Sequence, residues 1–173
     1  ATTEIYTLSL HDALPILSKI HQIHREQVID TDISTAWEFI CSPKNLDAIT
    51  PNDMSFEIVT DVPDKMYNGL LIEYRVGIPI LGRQTWLTEL KYITPGRSFV
   101  DEQRVGPYKF WSHYHEITVV PGGVRFVDRV NYVLPCGPFG AIAQCLYVKR
   151  QLQHVFDYRA SAMRKQFLNY RLA

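Results

Sequence analysis

The chain has 173 residues, of which 46% are hydrophobic and 12% aromatic, and its 18 basic side chains balance 18 acidic ones. A balanced charge without a concentrated basic surface argues against nucleic-acid binding, so we expect no nucleic-acid partner. No apolar run reaches membrane-spanning length, and we expect no membrane span. Cys41, Cys136 and Cys145 form no CxxC or CxxH pair, which predicts reduced thiols and a cytoplasmic location.

The first residues stand apart from the rest of the chain. Residues 1–16, ATTEIYTLSLHDALPI, resemble the peptide produced when a sequencing-adaptor fragment is translated. The segment has neither the basic start nor the long apolar core of a secretory signal. We therefore expect residues 1–17 to be a non-native extension and residues 18–173 to form a single domain, a length that suits one hydrophobic core.

A strand and two short helices are predicted next. Residues 20–29 alternate between polar and apolar and predict a strand with one polar side. Asp32 or Ser34 then supplies the start of a helix. Pro43 ends this helix and can begin a second short one, which Thr50 and Pro51 stop.

Six further strands and a long helix complete the chain. Turn residues such as those at 94–96 and 121–123 separate the predicted strands, whose ranges are 56–60, 70–76, 83–93, 98–105, 110–120 and 124–134. After Pro135, apolar residues recur at spacings of three and four, which predicts an amphipathic helix of about seven turns. The prediction is therefore an α+β protein, with a seven-stranded, curved antiparallel sheet wrapped on the long C-terminal helix.

A curved sheet around a long helix encloses space that only bulky side chains can fill. We expect an apolar cavity between the two, closed at one end by the short helices. Its expected walls are large aromatic side chains, although a solid core would use the same residue types. The candidates are Trp37, Tyr74, Trp86, Trp111, Phe126 and Tyr132.

The order of elements, together with two segments, resembles a known superfamily. The segments are GPYKFWSHYHEI (residues 106–117) and VDRVNYVLPCGPFG (residues 127–140). Over residues 20–168 the chain is similar to the SRPBCC or START-like helix-grip proteins, and to a bacterial branch of small ligand-binding members. The resemblance implies a helix-grip fold and a hydrophobic ligand of lipid, polyketide or aromatic type. Some branches, such as the polyketide cyclase/dehydrase-like domains, are enzymes, but the branch resembled here implies no reaction.

Two histidines and an aspartate lie on the expected inner face of neighbouring strands. His113 and His115 share one face of a strand, and Asp128 lies on the corresponding face of the next. Polar groups among large apolar side chains need partners or a ligand. The histidines are therefore either structural groups held by Asp128, Tyr132 or a backbone carbonyl, or polar anchors for a ligand.

A metal site is a third reading of the same residues. Both imidazoles could reach one ion, with Asp128 as the third ligand. A His-x-His pair alone is a weak signal, and the cupin pattern would need a glutamate where this chain has Val119 and Val120. We expect no metal and no cofactor.

Other strands carry polar residues whose orientation the sequence leaves open. If Arg75 points inward, it can pair with Glu89 or Asp101, or hold the acidic head of a ligand. Gln103 shares a strand face with Asp101, and this face can be turned either way. Arg159 is placed on the polar side of the terminal helix.

The sequence thus predicts binding of a hydrophobic small molecule rather than catalysis. The alternative is an enzyme of cyclase, hydratase or hydrolase type, in which His113 or His115 acts as acid or base and Asp128 orients it. An open cavity beside the imidazoles, with a carboxylate within reach, would favour this enzyme. A non-catalytic interaction module is the third hypothesis, which an exposed apolar patch over a filled interior would favour. The oligomeric state is left open.

Overall fold

The computed structural model of the protein describes residues 20–78, 82–134 and 141–172, with the backbone alone for 141–146 and 171–172. The expected extension at residues 1–17 lies outside the described residues. Two 3-10 helices, Pro43–Ile49 and Asn52–Met54, follow the first α-helix. The other elements in chain order are β1 (His21–Ile29), α1 (Ile33–Ile40), β2 (Glu57–Ile58), β3 (Leu71–Ile78), β4 (Gly82–Thr94), β5 (Ser98–Val105), β6 (Phe110–Val120), β7 (Gly123–Val133) and α2 (Ala141–Leu172).

The seven strands form one antiparallel sheet in the order β1-β7-β6-β5-β4-β3-β2. The predicted sheet, the helical segments after the first strand and the long C-terminal helix are confirmed. The second short helix is of the 3-10 type, and β2 is shorter than predicted because only Glu57 and Ile58 pair with β3. Among the described residues, no helix is long and apolar enough to cross a membrane.

Asp32 rather than Ser34 caps α1. The Asp32 carboxylate accepts hydrogen bonds from the Thr35 backbone nitrogen at 2.9 Å and from the Thr35 hydroxyl at 2.7 Å, and Ser34 also donates to it. These hydrogen bonds, that of Ser34 first, hold the pKa of Asp32 below its usual value. The cap thereby satisfies backbone donors that the first turn of any helix leaves free.

The two halves of the sheet are covered by different elements. α2 packs its buried side chains Leu152, Phe156, Met163 and Phe167 on the half formed by β1, β7 and β6. The half formed by β3, β4 and β5 instead packs against α1 and the segment that follows it. In β4, register shifts beside Thr88 and around Tyr92 mark β-bulges, which bend a strand. Space is left where the two coverings meet.

The turn between β6 and β7 brings two backbone segments very close together. Gly123 has a φ of +133°, which side-chain-bearing residues rarely adopt. A Cβ on Gly123 would overlap the carbonyl oxygen of Ile29 and lie 2.8 Å from the Cα of Asp30. A Cβ on the neighbouring Gly122, with a φ of +90°, would meet nothing within 4 Å. Only at Gly123 does the end of β1 occupy the position of a side chain.

We expect Gly123→Ala to destabilise the protein by about 3 kcal/mol or more, because strain and backbone overlap add together. The matched control Gly122→Ala should cost only about 1 kcal/mol, from its positive φ alone. Urea unfolding of both variants measures the difference. Equal losses in the two variants would contradict the close approach of β1.

Candidate functional site

A cavity of about 260 Å³ lies between the sheet, α2 and the first 3-10 helix. Most of its lining is apolar, as expected of a site for an apolar molecule. Its sheet wall includes Ile72, Tyr74, Val76, Trp86, Thr88, Leu90, Phe99, Asp101, Trp111, His113, His115, Ile117, Phe126 and Asp128. Leu152, Val155, Arg159 and Met163 of α2 and Pro43, Leu46 and Ile49 of the 3-10 helix line the opposite side.

Two of the predicted aromatic walls do not border this cavity. Tyr132 is only 2% exposed, and the centroid of its ring lies 5.7 Å from that of Tyr108 and 6.2 Å from that of Trp111. It belongs to the half of the sheet that α2 covers directly. Trp37 packs edge-on against Phe99, with ring centroids 6.4 Å apart. For both residues the interpretation as a cavity wall is wrong, and the solid-core alternative is the correct one.

Two predicted polar anchors also lie elsewhere. Arg75 is exposed on the outer face of β3, because its neighbour Tyr74 points inward. Gln103 holds the turn before β6: its amide nitrogen donates to the Tyr108 carbonyl oxygen at 2.7 Å, and its amide oxygen accepts from the Tyr108 nitrogen at 3.3 Å. The interpretation of Arg75 and Gln103 as anchors within the cavity is therefore wrong.

Four ionisable side chains from three adjacent strands form a compact group in the cavity wall. Register places Asp101 of β5 opposite His113 of β6, and His115 of β6 opposite Asp128 of β7. His113 Nε2 lies 2.8 Å from Asp128 Oδ1, and His115 Nε2 lies 2.6 Å from Asp101 Oδ2. The Nδ1 atoms complete a closed arrangement, with His113 3.2 Å from Asp101 Oδ2 and His115 3.1 Å from Asp128 Oδ1. We call these four residues the His–Asp ring.

Charge pairing within the His–Asp ring outweighs the cost of burial. Burial by itself disfavours protonated His113, but the Asp101 charge and the hydrogen bonds with both aspartates raise the pKa of His113. Burial would likewise raise the pKa of each carboxyl, yet the charges of the imidazoles and their hydrogen bonds lower the pKa of Asp101 and of Asp128. The ring therefore favours the protonated form of His113, which lies between two carboxylates.

The ring geometry limits what its members can do chemically. All four imidazole nitrogens lie within 3.2 Å of a carboxylate oxygen. A general base needs a nitrogen lone pair directed at the substrate, and no nitrogen of the ring is free for this. One ligand atom each from Asp101, His113 and His115 lies within 4.8 Å of the others, close enough for one metal ion. Binding a metal there would break the ring's own contacts.

Arg159 lines the cavity, although its charge predicts a position on the polar side of α2. Its guanidinium carbon lies 5.3 Å from the centroid of the Phe156 ring. Its spacing in the sequence indicates this position, because Arg159 lies three residues after Phe156 and four before Met163, and both of these residues are buried. Asp101, whose orientation the sequence leaves open, points inward and borders the cavity.

Comparison with solved structures identifies the architecture. A protein described as a START superfamily protein from Mycobacterium smegmatis is 13% identical, with a TM-score of 0.58, covering 84% of this chain and 96% of its own. A protein from Thermus thermophilus is 15% identical, with a TM-score of 0.63, and the match covers 87% of this chain and 99% of that protein. Ara h 8.0201 is 14% identical, with a TM-score of 0.53 and coverage of 84% and 99%. No protein-family model matches the sequence, and no curated protein is significantly similar to it.

The His–Asp ring predicts a specific dependence of stability on pH. Because the pKa of His113 is raised in the folded protein, its protonated form stabilises the fold at pH values below the pKa that histidine has in the unfolded chain. This stabilisation is lost as the pH rises through the pKa of His113 in the folded protein. Because the pKa values of Asp101 and Asp128 are lowered, their carboxylates stabilise the fold at pH values above the carboxyl pKa of the unfolded chain. This stabilisation is lost as the pH falls through the lowered pKa values of the folded protein. We expect His113→Asn to cost about 3 kcal/mol near about pH 6, because it leaves buried carboxylates without their partner.

The measurement is urea unfolding of the wild type and variant between about pH 5 and about pH 9. The free energy of unfolding should fall less steeply with rising pH in His113→Asn than in the wild type. The exposed His24 gives the control variant His24→Asn, which should keep the wild-type profile. An unchanged profile in His113→Asn would refute the ring's charge state.

Proposed function

Because this chain has the helix-grip fold of the START-like superfamily, we propose that it binds a hydrophobic small molecule in the cavity between the sheet and α2. The observation that carries the proposal is the cavity itself, which the bordering side chains, among them Trp86, Trp111 and Phe126, do not fill. Unfilled apolar space costs stability. A fold that keeps such space gains from an occupant that restores the missing contacts.

The size of the cavity limits the size of the occupant. A water molecule takes about 30 Å³ in the liquid, so about 260 Å³ corresponds to roughly nine water-sized groups. We therefore propose a ligand with on the order of ten nonhydrogen atoms within the cavity. A short lipid chain or a fused aromatic or polyketide-type ring system has this size.

The same geometry makes binding a better proposal than catalysis. The enzyme alternative finds support in the position of the ring, because His113, His115 and Asp128 border an open cavity with carboxylates within reach. However, a histidine would have to leave a carboxylate before it could take a proton from a substrate. An exposed apolar patch over a filled interior would favour the interaction-module alternative, and the cavity does not provide a filled interior.

We expect Val155→Trp to abolish ligand binding without unfolding the protein. Val155 is half-buried on α2 and borders the cavity, so an indole in its place occupies the ligand's space. The affinity for the neutral fluorophore 1-naphthylamine should fall by at least about tenfold, as measured by fluorescence titration. The control Val28→Trp adds the same group at an exposed position of β1 and should bind like the wild type. Undiminished binding by a folded Val155→Trp would place the ligand elsewhere.

A further inference from the structure

Arg159 presents a cation to the cavity without a counterion. Its side chain is half-buried, and its Nε is buried with no hydrogen-bond partner in the described parts of the chain. No ion pair joins Arg159 to any described carboxylate. The Phe156 ring lies beside the guanidinium, but a partly buried cation loses hydration that only an anion would fully replace.

The acidic groups that border the cavity or flank Arg159 are already engaged. Asp101 and Asp128 are held by the histidines of the His–Asp ring. Glu116 Oε2 lies 3.3 Å from Arg129 Nη2, and Asp157 Oδ1 lies 3.9 Å from Arg25 Nη2. The carboxylates of the ring have their charge offset by imidazolium, so they present less repulsion to an anion than two free aspartates would.

A second polar side chain borders the same cavity as Arg159. Tyr74 is 7% exposed and borders the cavity, and its hydroxyl forms no hydrogen bond within the described residues. Burial and the Asp101 charge raise the pKa of Tyr74, whereas the Arg159 charge lowers it. Tyr74 keeps its proton at neutral pH and can donate it in a hydrogen bond.

We propose that the ligand is an amphipathic acid whose carboxylate is bound by Arg159, with the Tyr74 hydroxyl as a further donor. This inference rests on the proposed binding function and specifies its ligand class. A guanidinium pairs with a carboxylate through two parallel hydrogen bonds. No described residue accepts a hydrogen bond from the Nε of Arg159. The rest of the molecule lies on the apolar wall formed by residues such as Ile72, Leu90 and Phe99.

Three naphthalene derivatives that differ in charge test this proposal. They are 1-naphthoate, neutral 1-naphthalenemethanol and 1-naphthylmethylammonium, each titrated calorimetrically into the full chain. The wild type should bind 1-naphthoate about tenfold or more tighter than the alcohol, because a charge-assisted hydrogen bond contributes more than a neutral one. The ammonium derivative should bind more weakly than both, because Arg159 repels it.

Arg159→Met removes the cation while keeping most of the side chain's volume. It should weaken 1-naphthoate binding by about tenfold or more and leave the alcohol unchanged or bound more tightly. Arg164→Met makes the same substitution at an exposed position of α2 that does not border the cavity, and it should bind all three compounds like the wild type. Arg159→Lys keeps the charge but loses the paired donors. Its affinity for 1-naphthoate alone should lie between those of the wild type and Arg159→Met.

The outcomes separate the two proposals. If the alcohol binds as well as 1-naphthoate and Arg159→Met retains the acid, the acidic head group is refuted while the cavity remains a binding site. If none of the three compounds and no 1-naphthylamine binds, the proposed function itself fails. If circular dichroism shows Arg159→Met to be unfolded, Arg159→Lys decides, and unchanged 1-naphthoate binding by this variant overturns the paired-donor anchor.

Discussion

Two carboxylates can lie side by side in the apolar wall of this sheet because two imidazoles lie between them. Asp101 and Asp128 come from strands on either side of β6, which carries both histidines. A slip of one residue in either pairing would turn an aspartate to the outer face and leave an imidazole buried without its partner. The His–Asp ring therefore penalises every alternative register of β5, β6 and β7.

The ring is also joined to the aromatic residues around it. Phe99 stacks on His115 with centroids 4.2 Å apart and planes at 13°, and Trp111 donates from its indole nitrogen to Asp101 Oδ1 at 3.3 Å. Phe156 of α2 meets the edge of His113, with centroids 5.6 Å apart. A rigid polar group held by apolar side chains provides one wall whose shape does not depend on a ligand. Arg159 and Tyr74 border the same cavity, and the Nε of Arg159 has no hydrogen-bond partner among the described residues. They, and not the histidines, are therefore assigned to recognition.

The alternation of polar and apolar residues, together with the turn residues, predicts most of the fold. The same patterns predict the site only in part. The alternation in β6 places His113 on the inner face, because the polar residues there interrupt a regular apolar row. Tyr74 and Arg75 are consecutive, so a strand can turn only one of them inward, and the apolar neighbours at positions 72 and 76 already favoured Tyr74. The position of the cavity relative to Tyr132 depends on where α2 crosses the sheet, and no local pattern encodes this. The charge of Arg159 predicts the polar side of α2, whereas its helical spacing from Phe156 and Met163 places it beside the cavity.

The pairing of β1 with β7 has a consequence for the order in which the molecule assembles. Gln22 and Asn131, whose side chains are hydrogen-bonded to each other, are 109 positions apart in the chain. On the ribosome, β1 has no edge to join until the whole of the hairpin formed by β6 and β7 has emerged, so the earliest strand to be made is among the last to be placed. During that interval Ile23 and Ile29, which the completed sheet buries, remain in contact with water.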